Sequence, residues 1–295
     1  MWNDIQIFGF RALWSPYFFL SIAVIGIIYY FWLVRNKDEA KRPADKQSLF
    51  FYLGLLLLYI LKGSPIDLMA HIMFTAHMIQ MALLFLLFPI TILKGLPVWV
   101  WEKIFYAPIL KPVLKLLTKP LISLLMFNAL FSFYHIPEIF DFTKENKMIH
   151  ITVTLVLLVA AFIMWWPIFS PIEKLNKMPP LMKIGYIAAT GILITPACAL
   201  IIFSTTSHYA TYGAEGSWLQ AMALCVPLDV LDTISISGPE MFSPMTLLED
   251  QQLGGIVMKI SQELIYATMI GRIFFPWFRK DEYKIDPLPI EHQTN

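Results

Sequence analysis

Charge is scarce in this chain of 295 residues: 15% are Asp, Glu, Lys or Arg, against about 25% in an ordinary soluble domain. The 22 basic and 21 acidic residues leave a net charge of +1, which excludes a polycationic nucleic-acid binder. Two cysteines, Cys198 and Cys225, are too few for a disulfide scaffold or a four-cysteine zinc site. The chain also lacks a Gly-x-Gly-x-x-Gly turn, a phosphate loop, Cys-x-x-Cys, His-Glu-x-x-His and a nucleophile elbow, so a hydrolase or an ATP-driven pump is disfavoured. The expectation is a protein that is not an enzyme.

What is present is apolar. Hydrophobic residues make up 58% of the chain, more than one soluble core can hide. Seven apolar runs approach the ~20 residues that a spanning helix needs: 17–34, 48–61, 68–93, 121–135, 148–169, 181–206 and 253–275. None alternates as a barrel strand does, so helices are the way to satisfy the backbone in hydrocarbon. The expected architecture is all-α: one integral membrane domain over 1–295 with seven transmembrane helices. The second and fourth runs are the shortest.

Lys and Arg fall in alternate links. Arg35, Lys37, Lys41, Arg42 and Lys46 follow the first run, and Lys94, Lys103, Lys111, Lys115 and Lys119 follow the third. Lys174, Lys177 and Lys183 follow the fifth, and Arg279, Lys280 and Lys284 the last. The other links hold only Arg11, Lys62, Lys144 and Lys147. The positive-inside rule then puts the N-terminus outside and the C-terminus in the cytoplasm of a multi-pass cell-membrane protein. Residues 97–117, with Trp99, Trp101, Lys103, Lys111 and Lys115, read as an interfacial cytoplasmic segment. The acidic stretch 208–252, apolar from Trp218 to Leu231, reads as an outer loop folded back over the mouth of the bundle.

Direction gives the histidines a pattern. His292 sits in the C-terminal tail, while His71, His77, His135, His150 and His208 all fall towards the outer side. Along the third run Met69, Met73, His77 and Met81 form one i, i+4 row, and His71 shares a face with Met78. Thioether with imidazole suits Cu(I) better than a hard cation or zinc. The candidate metal ligands are His71, His77, Met73, Met78 and Met81, with His135 and His150 as further ones. Methionine as an ordinary gap filler is the competing explanation.

Other polar residues have plainer readings. Asp67 reads as a helix cap, and Asn128, seven residues before His135, as a site neighbour or interhelical glue. Glu249 and Asp250 read as caps at an outer helix start, Gly254 and Gly255 as close packing, and Lys259 with Glu263 as an i, i+4 ion pair. Two further functional classes remain open: a haem- or quinone-binding redox protein using facing histidines such as His77 and His135, and a scaffold whose histidines only pack.

Several stretches carry a family resemblance: Ser64-Pro65-Ile66-Asp67, Ala76-His77-Met78-Ile79-Gln80-Met81, Asn128 to His135-Ile136-Pro137, Trp165-Trp166-Pro167, and Asp250-Gln251-Gln252-Leu253-Gly254-Gly255-Ile256-Val257-Met258. Together they resemble the membrane-embedded CtaG family of caa(3)-type cytochrome c oxidase assembly factors of Gram-positive bacteria, in a Bacillus-like form. Many relatives have His-Met-x-x-His where this chain has His77-Met78-Ile79-Gln80-Met81, and a further His after the position of His150. The resemblance implies a part in maturing an oxidase with a copper–haem centre, by delivering copper to its CuB position. The implied partners are the oxidase subunit that carries this centre, a copper donor protein and the lipid bilayer, with no nucleic acid.

Overall fold

The computed structural model describes residues 2–175, 177–213, 217–233 and 238–282, and the described residues form helices without a strand. Four helices are long and apolar enough to cross a membrane: Gln6–Val34, Phe74–Gly95, Lys147–Phe169 and Pro180–Ile202. Two bent pairs bring the number to six if each counts as one span, Asp45–Gly63 with Pro65–Ile72 at 45° and Leu110–Leu117 with Pro120–Tyr134 at 84°. The seventh run lies within a 36-residue helix, Leu247–Glu282. That helix carries Lys259, Glu263 and Arg272 and is not among the candidate spans. His292 and Lys284 lie outside the described residues.

The expected boundary between the second and third runs is corrected. The Asp45–Gly63 helix stops at Ser64, whose hydroxyl accepts the Ile66 N–H at 3.2 Å while Pro65 opens the next helix at a position that needs no donor. This short helix, Pro65–Ile72, contains the start of the expected third span. It ends at Met73, which takes an extended backbone (φ −128°, ψ 133°). The apolar helix that could cross therefore begins at Phe74, not Leu68. Farther along, Pro89 has no N–H to give to the preceding turn, and the helix widens into a π turn over Leu83–Leu87.

The main core fills the bundle around Phe85, Phe127, Phe131, Trp165, Ile194 and Met258. Leu247–Glu282 packs closely against its neighbours because Gly254 and Gly255 remove side chains there. A Cβ on Gly254 would lie 2.6 Å from the Phe74 ring, and one on Gly255 2.7 Å from Ile202. A second cluster joins Ile5 and Phe8 of the N-terminal segment to Leu68 and Ile72, and to Trp218, Met222 and Phe242 of the 208–252 stretch. The described parts of that stretch fold back over the Pro65–Ile72 end of the bundle, as their apolar content suggests.

Candidate metal centre

Four histidines meet beneath this cap, as two pairs. The His71 and His150 ring centroids are 5.8 Å apart, and those of His77 and His135 are 6.3 Å apart. His71 lies in the last turn of Pro65–Ile72 and His77 in the first turn after the Met73 break. His135 directly follows Pro120–Tyr134. His150 sits in the first turn of Lys147–Phe169, a helix begun by Asn146, whose Oδ1 accepts the Met148 N–H at 2.8 Å. All four side chains are buried.

Their hydrogen bonds leave ligating atoms free. His71 Nδ1 lies 2.8 Å from the Asp67 carbonyl and His135 Nδ1 2.8 Å from the Phe131 carbonyl. A carbonyl can only accept, so Nδ1 carries the proton in both rings and Nε2 keeps its lone pair. That carbonyl-anchored arrangement is the usual one behind a ligating imidazole. Among the described residues, His71 Nε2, His135 Nε2, His150 Nδ1 and both ring nitrogens of His77 are buried without a partner. Among the described residues no group of three His, Cys, Asp or Glu side chains could hold one ion, so the convergence is pairwise.

Lys144, one of the few basic residues of the sparse links, stands close to this site. It is buried, on the short helix Pro137–Glu145, with its ammonium 5.4 Å from the Phe140 ring centroid. It acts electrostatically on all four histidines. Burial, reinforced by the Lys62 charge and opposed by Asp67, pulls its pKa down to about 7. Asp67 is not the expected cap, a place that Ser64 holds. It pairs with Lys62 at 2.5 Å and accepts from Gln80 Nε2 at 2.9 Å. Asn128 bonds its own helix through the Leu124 carbonyl at 2.7 Å rather than a neighbouring helix.

The cap is tied down by groups that apolar pattern and charge placement do not reveal. Asp141 accepts from the Ala210 and Thr211 N–H groups at 3.0 Å each and from the Thr211 hydroxyl at 2.6 Å. The Tyr209 hydroxyl donates to the His135 carbonyl at 2.8 Å, and that of Tyr212 to the Ala70 carbonyl at 2.9 Å. His208 stays apart from the four, exposed, with Nε2 2.7 Å from the Ser204 hydroxyl. Cys225 is half-buried in the cap, and burial pushes its thiol pKa up.

The methionines are arranged differently from the sequence pattern. The extended backbone at Met73 interrupts the Met69, Met73, His77, Met81 row, so these side chains do not form one continuous helical stripe. Met78 packs where Gly254 opens space, and Met81 is buried in the main core. Met73 is half-buried against the Trp218 cluster. Glu249 does cap its own helix start, accepting the Thr246 N–H at 2.8 Å. Asp250 instead turns to the Phe74–Ala82 helix, taking the Phe74 and Thr75 N–H groups that the break sets free.

Fold and site together define a polytopic helical membrane protein with paired, buried, partner-free imidazoles at one end of its bundle. The family model for the cytochrome c oxidase caa3 assembly factor (Caa3_CtaG) matches residues 27–280, and the chain belongs to that family. No curated protein and no solved structure matches it significantly. It is an assembly factor for a caa3-type cytochrome c oxidase, with the oxidase as its partner and a membrane as its setting.

Proposed function

We propose that this assembly factor handles copper as cargo, holding Cu(I) between histidines and passing it to the CuB position of the oxidase subunit that carries the copper–haem centre. The supporting observation is the set of buried imidazole nitrogens left without partners, two of them on rings anchored through Nδ1. With metal–nitrogen bonds of about 2.0 Å, as for zinc, an ion between two imidazoles sets the ring centroids about 6 Å apart. The two pairs stand at 5.8 and 6.3 Å. Two-nitrogen coordination suits a soft monovalent ion and stays open to exchange, which transfer requires.

In this proposal His71 with His150 and His77 with His135 each hold an ion. Met78 and Met81 on the His77 helix, and Met73 at its break, supply thioethers within two turns for onward movement. The chain forms one domain of seven spans in the plasma membrane. Its N-terminus lies outside and its C-terminus in the cytoplasm, so the histidine end opens to the outer side, where a copper donor protein delivers. No catalytic step is assigned to it. Alternating basic links support this direction.

The test is the Cu(I) content of the purified full chain against a His71→Ala/His77→Ala variant. Copper bound by the wild type and lost by the variant is the expected result. Equal and negligible copper in both removes the proposal.

A further inference from the structure

The Lys259–Glu263 pair is left half-covered in the middle of the bundle's span. Lys259 Nζ lies 2.7 Å from Glu263 Oε1, 2.9 Å from Thr195 Oγ1 and 3.4 Å from the Gly191 carbonyl. Gly191 is eleven residues from each end of Pro180–Ile202, a helix long and apolar enough to cross a membrane. At 1.5 Å per residue the pair sits about 16 Å from either end of that helix, at the level of the bilayer midplane. The Glu263 side chain is nevertheless 61% exposed.

The two charges are unequally satisfied. Three acceptors surround the ammonium, whereas Glu263 receives from Lys259 and, at 3.3 Å, from Gln262 Nε2, both on Oε1. Oε2 accepts from nothing among the described residues. Behind it, Gln262 Oε1 and the Tyr266 hydroxyl are also buried without partners. Lipid tails have no donor to offer, and an ionisable group facing hydrocarbon is costly. The pair borders a groove of about 290 Å³ lined also by Ala188 and Ala267, exposed small residues that let another helix backbone approach closely. Ile192 beside it is 70% exposed.

We infer that this groove between Pro180–Ile202 and Leu247–Glu282 is where a transmembrane helix of the oxidase docks, bringing a hydrogen-bond donor to the free Glu263 oxygen at mid-membrane. The docked helix covers the carboxylate and fills the space beside Ala188 and Ala267. This places the oxidase along the side of the bundle, against the helix that also clamps the His77 break through Asp250. The inference rests on the oxidase being the partner and extends the copper proposal by naming the surface used.

The experiment uses the full chain co-expressed with the caa3 oxidase in intact membranes, with p-benzoylphenylalanine replacing Ile192. Illumination is expected to give an adduct with a spanning segment of an oxidase subunit, identified by mass spectrometry. Lys259→Met/Glu263→Leu, which removes the pair without stranding either charge, is expected to lower the adduct about tenfold, equivalent to about 1.4 kcal/mol. Copper bound per chain, read on the same samples, is expected to stay unchanged and shows that the double variant is folded. An undiminished oxidase adduct, or adducts only with lipid or with a second copy of this chain, overturns the inference. Copper without an oxidase adduct refutes the docking surface alone, and an adduct without copper refutes the copper proposal alone.

Discussion

Asp250 accepts the backbone N–H of Phe74 at 2.6 Å across 176 positions of sequence. Its other carboxylate oxygen takes the Thr75 N–H at 3.1 Å, and the Thr75 hydroxyl donates back to the Asp250 carbonyl at 3.0 Å. The last helix thereby caps the helix that carries His77. A carboxylate at an N-terminus also meets the positive end of the helix dipole. Asp250→Ala leaves two backbone donors without this acceptor and is expected to cost about 1–3 kcal/mol. Asp250→Asn retains one acceptor and is expected to fall between. Thermal unfolding of the detergent-solubilised chain measures the order, and equal stability of all three forms would exclude the clamp.

Gly254 tests the same junction by volume. The Phe74 ring that a new Cβ would meet at 2.6 Å is itself stacked on Tyr209 at 4.5 Å, so it has little room to yield. Gly254→Ala is expected to lower stability by about 1–3 kcal/mol through overpacking. Gly185→Ala, at a position with nothing within 4 Å of an added Cβ, is the control and is expected to cost nothing. Unfolding midpoints of the two variants, compared under one condition, decide between them.

The parts of this arrangement that were legible in the sequence are those set by the solvent. Hydrocarbon demands long apolar runs, and helices occupy all seven of the runs read that way. The apolar stretch from Trp218 to Leu231 announced a segment that would fold back. The break at Met73 was not legible, since Ile72-Met73-Phe74 contains neither Gly nor Pro and the interruption is stabilised by a carboxylate on the last helix. Pairing of His71 with His150 is likewise non-local, whereas the methionine row assumed an unbroken helix. Lys144 reads as a loop charge because the groups around its buried ammonium, Lys62, Asp67 and Cys225, are remote in sequence. A hydrophilic residue three positions from an acid that holds the cap was the available signal.

Lys144 makes stability depend on pH. Its pKa is drawn down from 10.5 to about 7 by burial first and by Lys62 second. Between those values the unfolded chain binds a proton that the folded chain does not, so stability rises with pH across the window from about 7 to 10.5. The slope for one such group is at most about 1.4 kcal/mol per pH unit. Below pH 7 both states are protonated and the contribution is flat, with the cost of the buried cation fully present. Lys144→Met is expected to remove this rise. A wild-type unfolding profile no steeper than that of Lys144→Met between pH 7 and 10 would refute the buried, discharged amine.

The pairwise geometry predicts how copper is lost. His71 lies beside His150 and His77 beside His135, and no three of these side chains share one position. Under the copper proposal, His135→Ala is expected to remove one equivalent of Cu(I) from the purified chain and leave the other. His150→Ala should remove the complementary one, and the two changes together both. Each half-site would lose one of only two nitrogen ligands, so the affected equivalent should weaken by at least the ~10–100-fold typical of disturbing even an outer-shell partner. Titration against a chromophoric Cu(I) chelator counts the equivalents directly. If either single variant abolished all binding, the four imidazoles would be acting as one centre and the two-pair arrangement would be wrong. Loss of neither equivalent would instead leave these buried nitrogens as features of packing.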